Sequence, residues 1–141
     1  MEQVFVYGTL REGEPNNPKL QWSTRLGLAE IVDEGFDMYD LGPYPAVVET
    51  GALDSQVIGE LYRVSMTVFA DLDRLEGINP KTPESPRKAF YYRKRIKVKV
   101  LETGAITEAW IYLMAADDVR GCVHVVHGDW IKYIDKKYRT A

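Results

Sequence analysis

Val4-Phe5-Val6-Tyr7 runs directly into Gly8-Thr9-Leu10-Arg11, and this junction constrains the fold more than any other stretch. Four consecutive β-branched or aromatic residues suit a pleated, well-covered surface, so the segment is expected to be a buried first strand. Gly8 can adopt backbone angles closed to other residues and lets a ligand approach the main chain, and Thr9 and Leu10 after it offer bare amide hydrogens. Two readings of these residues stay open. Gly8 either turns a corner, as glycine at a strand end often does, or opens a binding loop.

At 141 residues the chain suits one domain, 1–141, with a core that needs neither metal nor disulfide. Its 45% hydrophobic and 28% charged content is that of a globular protein, and no apolar run approaches the roughly 18 residues that span a bilayer. The start, Met1-Glu2-Gln3, lacks the positive region and apolar core of a secretory signal, which gives the expectation of a cytoplasmic protein without a membrane partner. Cys122 is alone, so no internal disulfide forms. A net charge of −3 disfavours nucleic acid. One segment runs against that average: seven of the 18 basic residues fall between Arg87 and Lys99, interleaved with Phe90, Tyr91 and Tyr92. Alternation with Ile96, Val98 and Val100 favours a solvated strand face over a nucleic-acid surface.

Along the chain, residues 12–18 (Glu-Gly-Glu-Pro-Asn-Asn-Pro) are dense in breakers and predict an exposed excursion that could cover a pocket. A short helical turn is expected over Lys19–Trp22 and strands over Thr24–Ile31, Phe36–Leu41, Ala46–Glu49 and Val57–Val64. Between two of these, Gly42-Pro43-Tyr44-Pro45 is a rigid turn in which both prolines restrict the residue before them. Tyr44 is thereby held in a defined orientation, either lining a pocket or packing on the sheet. Val68, Phe69, Leu72 and Leu75 recur at helical spacing, so Met66–Leu75 reads as an amphipathic helix with Ser65 as N-cap and Gly77 as its stop. Ala89–Leu101 and Ile106–Met114 are expected to form an antiparallel hairpin across Glu102–Ala105. Asp129 is placed to cap a short terminal helix leading into the basic Lys136–Arg139 tail. Short connections and few crossovers give an α+β fold: a small antiparallel barrel-like sheet of about six strands with two or three flanking helices.

Glu76 is the first candidate for chemistry. A carboxylate at a helix C-terminus meets exposed carbonyls that raise its pKa, which suits a proton carrier, although solvation beside Arg74 reads equally well. His124 and His127 have the spacing of a ligand pair, but Val123, Val125 and Val126 imply an extended segment that turns the rings to opposite faces, and no third ligand is indicated. No metal or phosphate loop is expected.

Taken in order, Val4–Arg11, Gly42-Pro43-Tyr44-Pro45-Ala46, Gly59-Glu60-Leu61-Tyr62, Leu72–Gly77, Tyr91-Tyr92-Arg93 and Ala109-Trp110-Ile111-Tyr112 give a chain that resembles the γ-glutamylcyclotransferase-like family, which includes γ-glutamylamine cyclotransferase and AIG2-like proteins. The resemblance implies a small barrel whose cavity takes a γ-glutamyl group, with Tyr7, Gly8, Thr9 and Leu10 as the substrate loop, Tyr44 and Tyr112 as further substrate contacts, and Glu76 as the general acid/base. The implied reaction is attack of the substrate's α-amine on its own γ-carbonyl, releasing 5-oxoproline and the attached amine without a metal or organic cofactor. A monomer or homodimer acting on a small γ-glutamyl compound is the corresponding expectation. A catalytically silent module that binds a γ-glutamyl or other carboxylate ligand in the same pocket is the alternative.

Overall fold

A computed structural model describes residues 1–52 and 55–135, so the basic tail at Lys136–Arg139 lies outside the described residues. The segment at the chain start forms strand β1 (Glu2–Val6), and both of its faces are covered. Phe5 joins the cluster fed by all five barrel strands, while Val4 and Val6 join a second cluster beneath the long helix. That two-sided burial explains why the segment reads as a continuous apolar run rather than an alternating one.

The other elements are β2 (Thr24–Ile31), β3 (Phe36–Asp40), β4 (Pro45–Glu49), β5 (Ile58–Val64), helix α1 (Met66–Leu75), β6 (Tyr92–Val100), β7 (Ile106–Leu113), β8 (Val123–His124) and helix α2 (Trp130–Ile134). The strands β1-β5-β2-β6-β7 close into a barrel, and β4-β3-β8 make a separate three-stranded sheet. Eight strands stand among the described residues where about six were expected; β3 and β4 lie outside the barrel, and the two-residue β8 joins them in the second sheet. The barrel is not wholly antiparallel either, since β1 pairs with β7 in parallel at Val4 and Trp110. This pair closes the barrel and brings the ends of β1 and β7 to the same mouth.

The hairpin β6–β7 forms in the expected register, from Tyr92 against Leu113 to Lys99 against Ile106. β6 begins at Tyr92 rather than Ala89, because Ala89 has a φ of 64° that no strand accommodates. Helix α1 has the predicted termini: the Ser65 side chain accepts from Val68 N, and Gly77 takes a φ of 69° just past the end. Asp129 likewise caps α2 by accepting from Lys132 N. The short turn after the opening excursion is a 3₁₀ segment, Asn17–Leu20, and a second, Ala116–Val119, precedes β8 in a region that carries no clear sequence period.

The opening excursion is more tightly folded than its composition suggests. Successive turns join Glu14 N to Arg11 O (3.0 Å), Asn17 N to Glu14 O (3.1 Å) and Asn16 N to Thr9 O (2.8 Å). At its base Arg11 is buried, donating from Nε to Glu60 Oε2 and from a terminal nitrogen to Asp129 Oδ1, both at 2.9 Å. No helix is long and apolar enough to cross a membrane among the described residues.

Candidate active site

The barrel mouth holds a cavity of about 400 Å³. All seven residues singled out from the sequence, Tyr7, Gly8, Thr9, Leu10, Tyr44, Glu76 and Tyr112, line it. Chain order brings none of these groups together. β1 delivers the loop 7–10, α1 delivers Glu76 as its C-cap, β7 delivers Tyr112, and the turn before β4 delivers Tyr44.

The loop after β1 is closed through its carbonyls. Gly8 O accepts from Arg11 N (3.0 Å), Thr9 O from Asn16 N (2.8 Å) and Leu10 O from Asn17 Nδ2 (2.9 Å). None of these bonds uses the amide hydrogens of Gly8, Thr9 or Leu10. Gly8 is needed here for a different reason from the one its flexibility suggests. Its φ is not positive, but a Cβ would come within 2.7 Å of the Pro45 ring, so the glycine allows the 42–45 turn to close onto the loop. Tyr44 is 41% exposed; it stands on the rim of the cavity rather than packing flat on the sheet.

Glu76 has no protein donor or cation on its carboxyl among the described residues. Its pKa is pushed up from 4.5 to about 7, and desolvation by burial is the cause. The cavity wall thus raises the value, a cause distinct from the helix-end carbonyls that its place in the sequence suggests. A carboxyl in this state is divided between acid and base near neutral pH.

The phenols around it are arranged differently, because each hydroxyl is engaged with the protein. Tyr7 donates to the Tyr112 carbonyl (2.6 Å), Tyr91 to the Pro45 carbonyl (3.2 Å) and Tyr112 to Asp73 Oδ1 (2.8 Å). Burial first, then neighbouring carboxyl or phenol groups, raises all three above the ordinary tyrosine value, so they stay protonated. They form a rigid wall. Asp73 in turn meets Arg93 at 3.2 Å, whose guanidinium lies over Trp110 and Phe69 at 4.3 and 4.8 Å.

Asn16 and Tyr91 also line the cavity. Asn16 is a wall residue that sequence reasoning missed; it sits in the breaker-rich excursion with no periodic signal, and its Nδ2 donates to Thr9 Oγ1 (2.9 Å). Tyr91 stands in a quoted motif, but nothing in the sequence shows that it leaves the strand to face the cavity. No Lys, Arg or His is among the described residues that line it.

The two histidines take separate partners. His124 Nε2 lies 3.2 Å from Asp37 Oδ1 with its ring stacked on Tyr39, whereas His127 Nδ1 accepts from Asp129 N at 3.2 Å. The basic β6 segment pairs with carboxylates, Lys94 with Glu49 (2.8 Å) and Lys99 with Glu30 (3.3 Å), as a solvated strand face does.

Residues 4–132 match the family described as gamma-glutamyl cyclotransferase, AIG2-like. A Vibrio cholerae protein provisionally named a gamma-glutamylcyclotransferase is 37% identical over 136 residues, covering 93% of this chain and 96% of that protein. The gamma-L-glutamyl-butirosin B gamma-glutamyl cyclotransferase of Niallia circulans is 32% identical over 139 residues, covering 94% of this chain and 78% of the relative. An AIG2-like protein from Mus musculus superposes with a TM-score of 0.73 at 26% identity, over 92% of this chain and 88% of that one. YkqA from Bacillus subtilis superposes with a TM-score of 0.74 at 23% identity; the match takes in 99% of this chain but 43% of the other, so the chain spans less than half of that structure and the likeness is one of fold.

Proposed function

We propose, for a chain that belongs to the gamma-glutamyl cyclotransferase, AIG2-like family, that it cyclises the γ-glutamyl group of a small amide to 5-oxoproline with Glu76 as general acid/base. The observation that carries this reading is the Glu76 carboxyl, unpartnered among the described residues and held near neutral pKa in the same cavity as the Gly8, Thr9 and Leu10 amides, which no described residue engages.

The chemistry follows from what each group can do. A γ-glutamyl compound carries an α-ammonium, an α-carboxylate and a γ-amide. The ionised Glu76 attracts the ammonium and takes one proton, which frees the nitrogen lone pair. That nitrogen attacks the γ-carbonyl carbon, a C–N bond forms, and the carbonyl oxygen gains negative charge. Amide hydrogens of the Gly8–Leu10 loop are suited to hold that oxygen or the α-carboxylate, since fixed donors cost no reorganisation as charge develops. Collapse of the intermediate breaks the original amide bond, the departing nitrogen receives the proton from Glu76, and the ring nitrogen then gives its second proton to the regenerated carboxylate, which passes it to the freed amine. Nucleophile and electrophile belong to one molecule, so much of the acceleration comes from holding the ring-forming pose. The rigid Tyr7, Tyr91 and Tyr112 wall is suited to that.

The direct test is a panel of γ-glutamyl amines, γ-glutamyl amino acids and γ-glutamyl-acylated larger amines assayed for 5-oxoproline. Release from at least one class, lost in Glu76→Gln, is the expected result. Equal turnover by that variant would remove Glu76 from the mechanism.

A further inference from the structure

Three large hydrophobic side chains stand exposed at the cavity mouth, each from a different part of the chain: Tyr44 at 41%, Leu75 at 40% and Phe90 at 49%. Phe90 is held there by a strained turn. Ala89 is the one non-glycine residue with positive φ among the described residues, a conformation disfavoured for a side chain bearing a Cβ. Independent ties hold it. Arg87 donates to the Gly77 carbonyl, its guanidinium lies 4.4 Å from the Phe90 ring centre, and the Ala89 amide donates to the Asp118 carboxylate at 2.8 Å. Strain maintained by separate contacts at the edge of a site is a mark of function, and here its product is the aim of one aromatic ring. A Cβ on Gly77 would sit 3.4 Å from Phe90 Cδ1, so the ring edge lies against the residue that follows Glu76.

In the proposed reaction Glu76 protonates the departing nitrogen, so the group bonded to that nitrogen must lie across this part of the rim. An apolar group there would cover Phe90, with Tyr44 and Leu75 beside it. A carboxylate there would find no cation among the described residues that line the cavity, and the Arg87 guanidinium is turned to the Phe90 ring and the Gly77 carbonyl.

We propose that Phe90, aimed by the strained Arg87–Phe90 turn, is the specificity-determining residue for the leaving half of the substrate and favours an uncharged apolar group on the departing nitrogen over one that carries a carboxylate. This rests on the cyclotransferase reading. The test compares γ-glutamyl anilide, γ-glutamyl methylamide and γ-glutamylglycine on the wild type, Phe90→Ala and Phe90→Leu. Wild type is expected to prefer the anilide over γ-glutamylglycine. Phe90→Ala is expected to lower kcat/KM for the anilide roughly tenfold while changing the methylamide less than twofold, with Phe90→Leu between. An equal change for both amides, no change, or a wild-type preference for γ-glutamylglycine overturns the proposal. If none of the compounds, nor any member of the wider γ-glutamyl panel, releases 5-oxoproline, the reaction reading fails on its own. The ratio of Kd values for anilide and methylamide, measured by calorimetry on wild type and Phe90→Ala, then still decides whether Phe90 selects: an unchanged ratio overturns the proposal.

Discussion

Glu60 and Glu76 are both drawn into the body of the protein, one on each side of the loop that follows β1, and the fold treats them in opposite ways. Glu60 is 2% exposed and fully partnered, with Arg11 Nε at 2.9 Å, Glu12 N at 2.8 Å and the Tyr62 hydroxyl at 3.0 Å. Through Arg11 it is joined to Asp129, the N-cap of α2. Glu76 has desolvation without compensation. A buried charge with its hydrogen bonds satisfied fixes the loop in place, whereas one left open keeps its reactivity at a cost in stability. The contrast makes one glutamate an anchor and leaves the other open for the chemistry proposed above.

The largest effect that bears on this contrast is catalytic. Glu76→Gln is expected to lower kcat for 5-oxoproline release about 10³-fold, the scale of a lost general acid/base, while γ-glutamyl compounds still bind; full retention of kcat would erase the distinction. Next is the anchor. Glu60→Ala leaves Arg11 buried with one partner fewer and should cost about 3–5 kcal/mol of unfolding free energy in urea, with normal turnover in the fraction that stays folded. A stable variant with lost activity would reverse the two roles.

The pH dependence sharpens the same point. The folded-state pKa of Glu76, about 7, exceeds its ordinary 4.5, so its contribution is fully present below pH 4.5 and is lost as pH rises through 7. Glu76→Gln should therefore match the wild type near pH 4 and exceed it by roughly 2–3 kcal/mol at pH 8. Over the same interval the wild-type kcat/KM should rise, because the base must be ionised. Equal pH–stability curves for the two proteins would show that the carboxyl is not desolvated. The smallest effect concerns the loop between them. Gly8→Ala drives a methyl into Pro45 and should cost about 1–3 kcal/mol, with a higher KM as the amides shift; an unchanged KM would separate loop geometry from substrate binding.

How much of this was legible in the sequence differs between elements. α1 was readable to its caps, since period, Ser65 and Gly77 are all local signals, and the β6–β7 hairpin was readable because its turn joins adjacent segments. The excursion at 12–18 was not, because its order comes from Arg11 reaching Glu60 and Asp129 at 49 and 118 positions' remove. Glu76 could be selected from its place at a helix end, yet the burial that raises its pKa comes from residues distant in sequence and leaves no local signal. Asp37 and Asp40 interrupt an apparently alternating strand but are both buried, held by a histidine, a threonine and a tyrosine that the local pattern does not reveal.

By itself the sequence determined the elements and the residue types available for chemistry: a first strand covered on both faces, a glycine loop after it, and a capped helix ending at a carboxylate. Those depend on neighbours a few positions away. Only the tertiary structure decided that they share one cavity, because that rests on a single parallel pairing, Val4 with Trp110, which brings the ends of β1 and β7 to the same mouth and sets the Tyr7 hydroxyl on the Tyr112 carbonyl. A contact between residues more than a hundred positions apart leaves no period, turn or cap in the chain, and the same holds for the Pro45 ring against Gly8 that seats the loop.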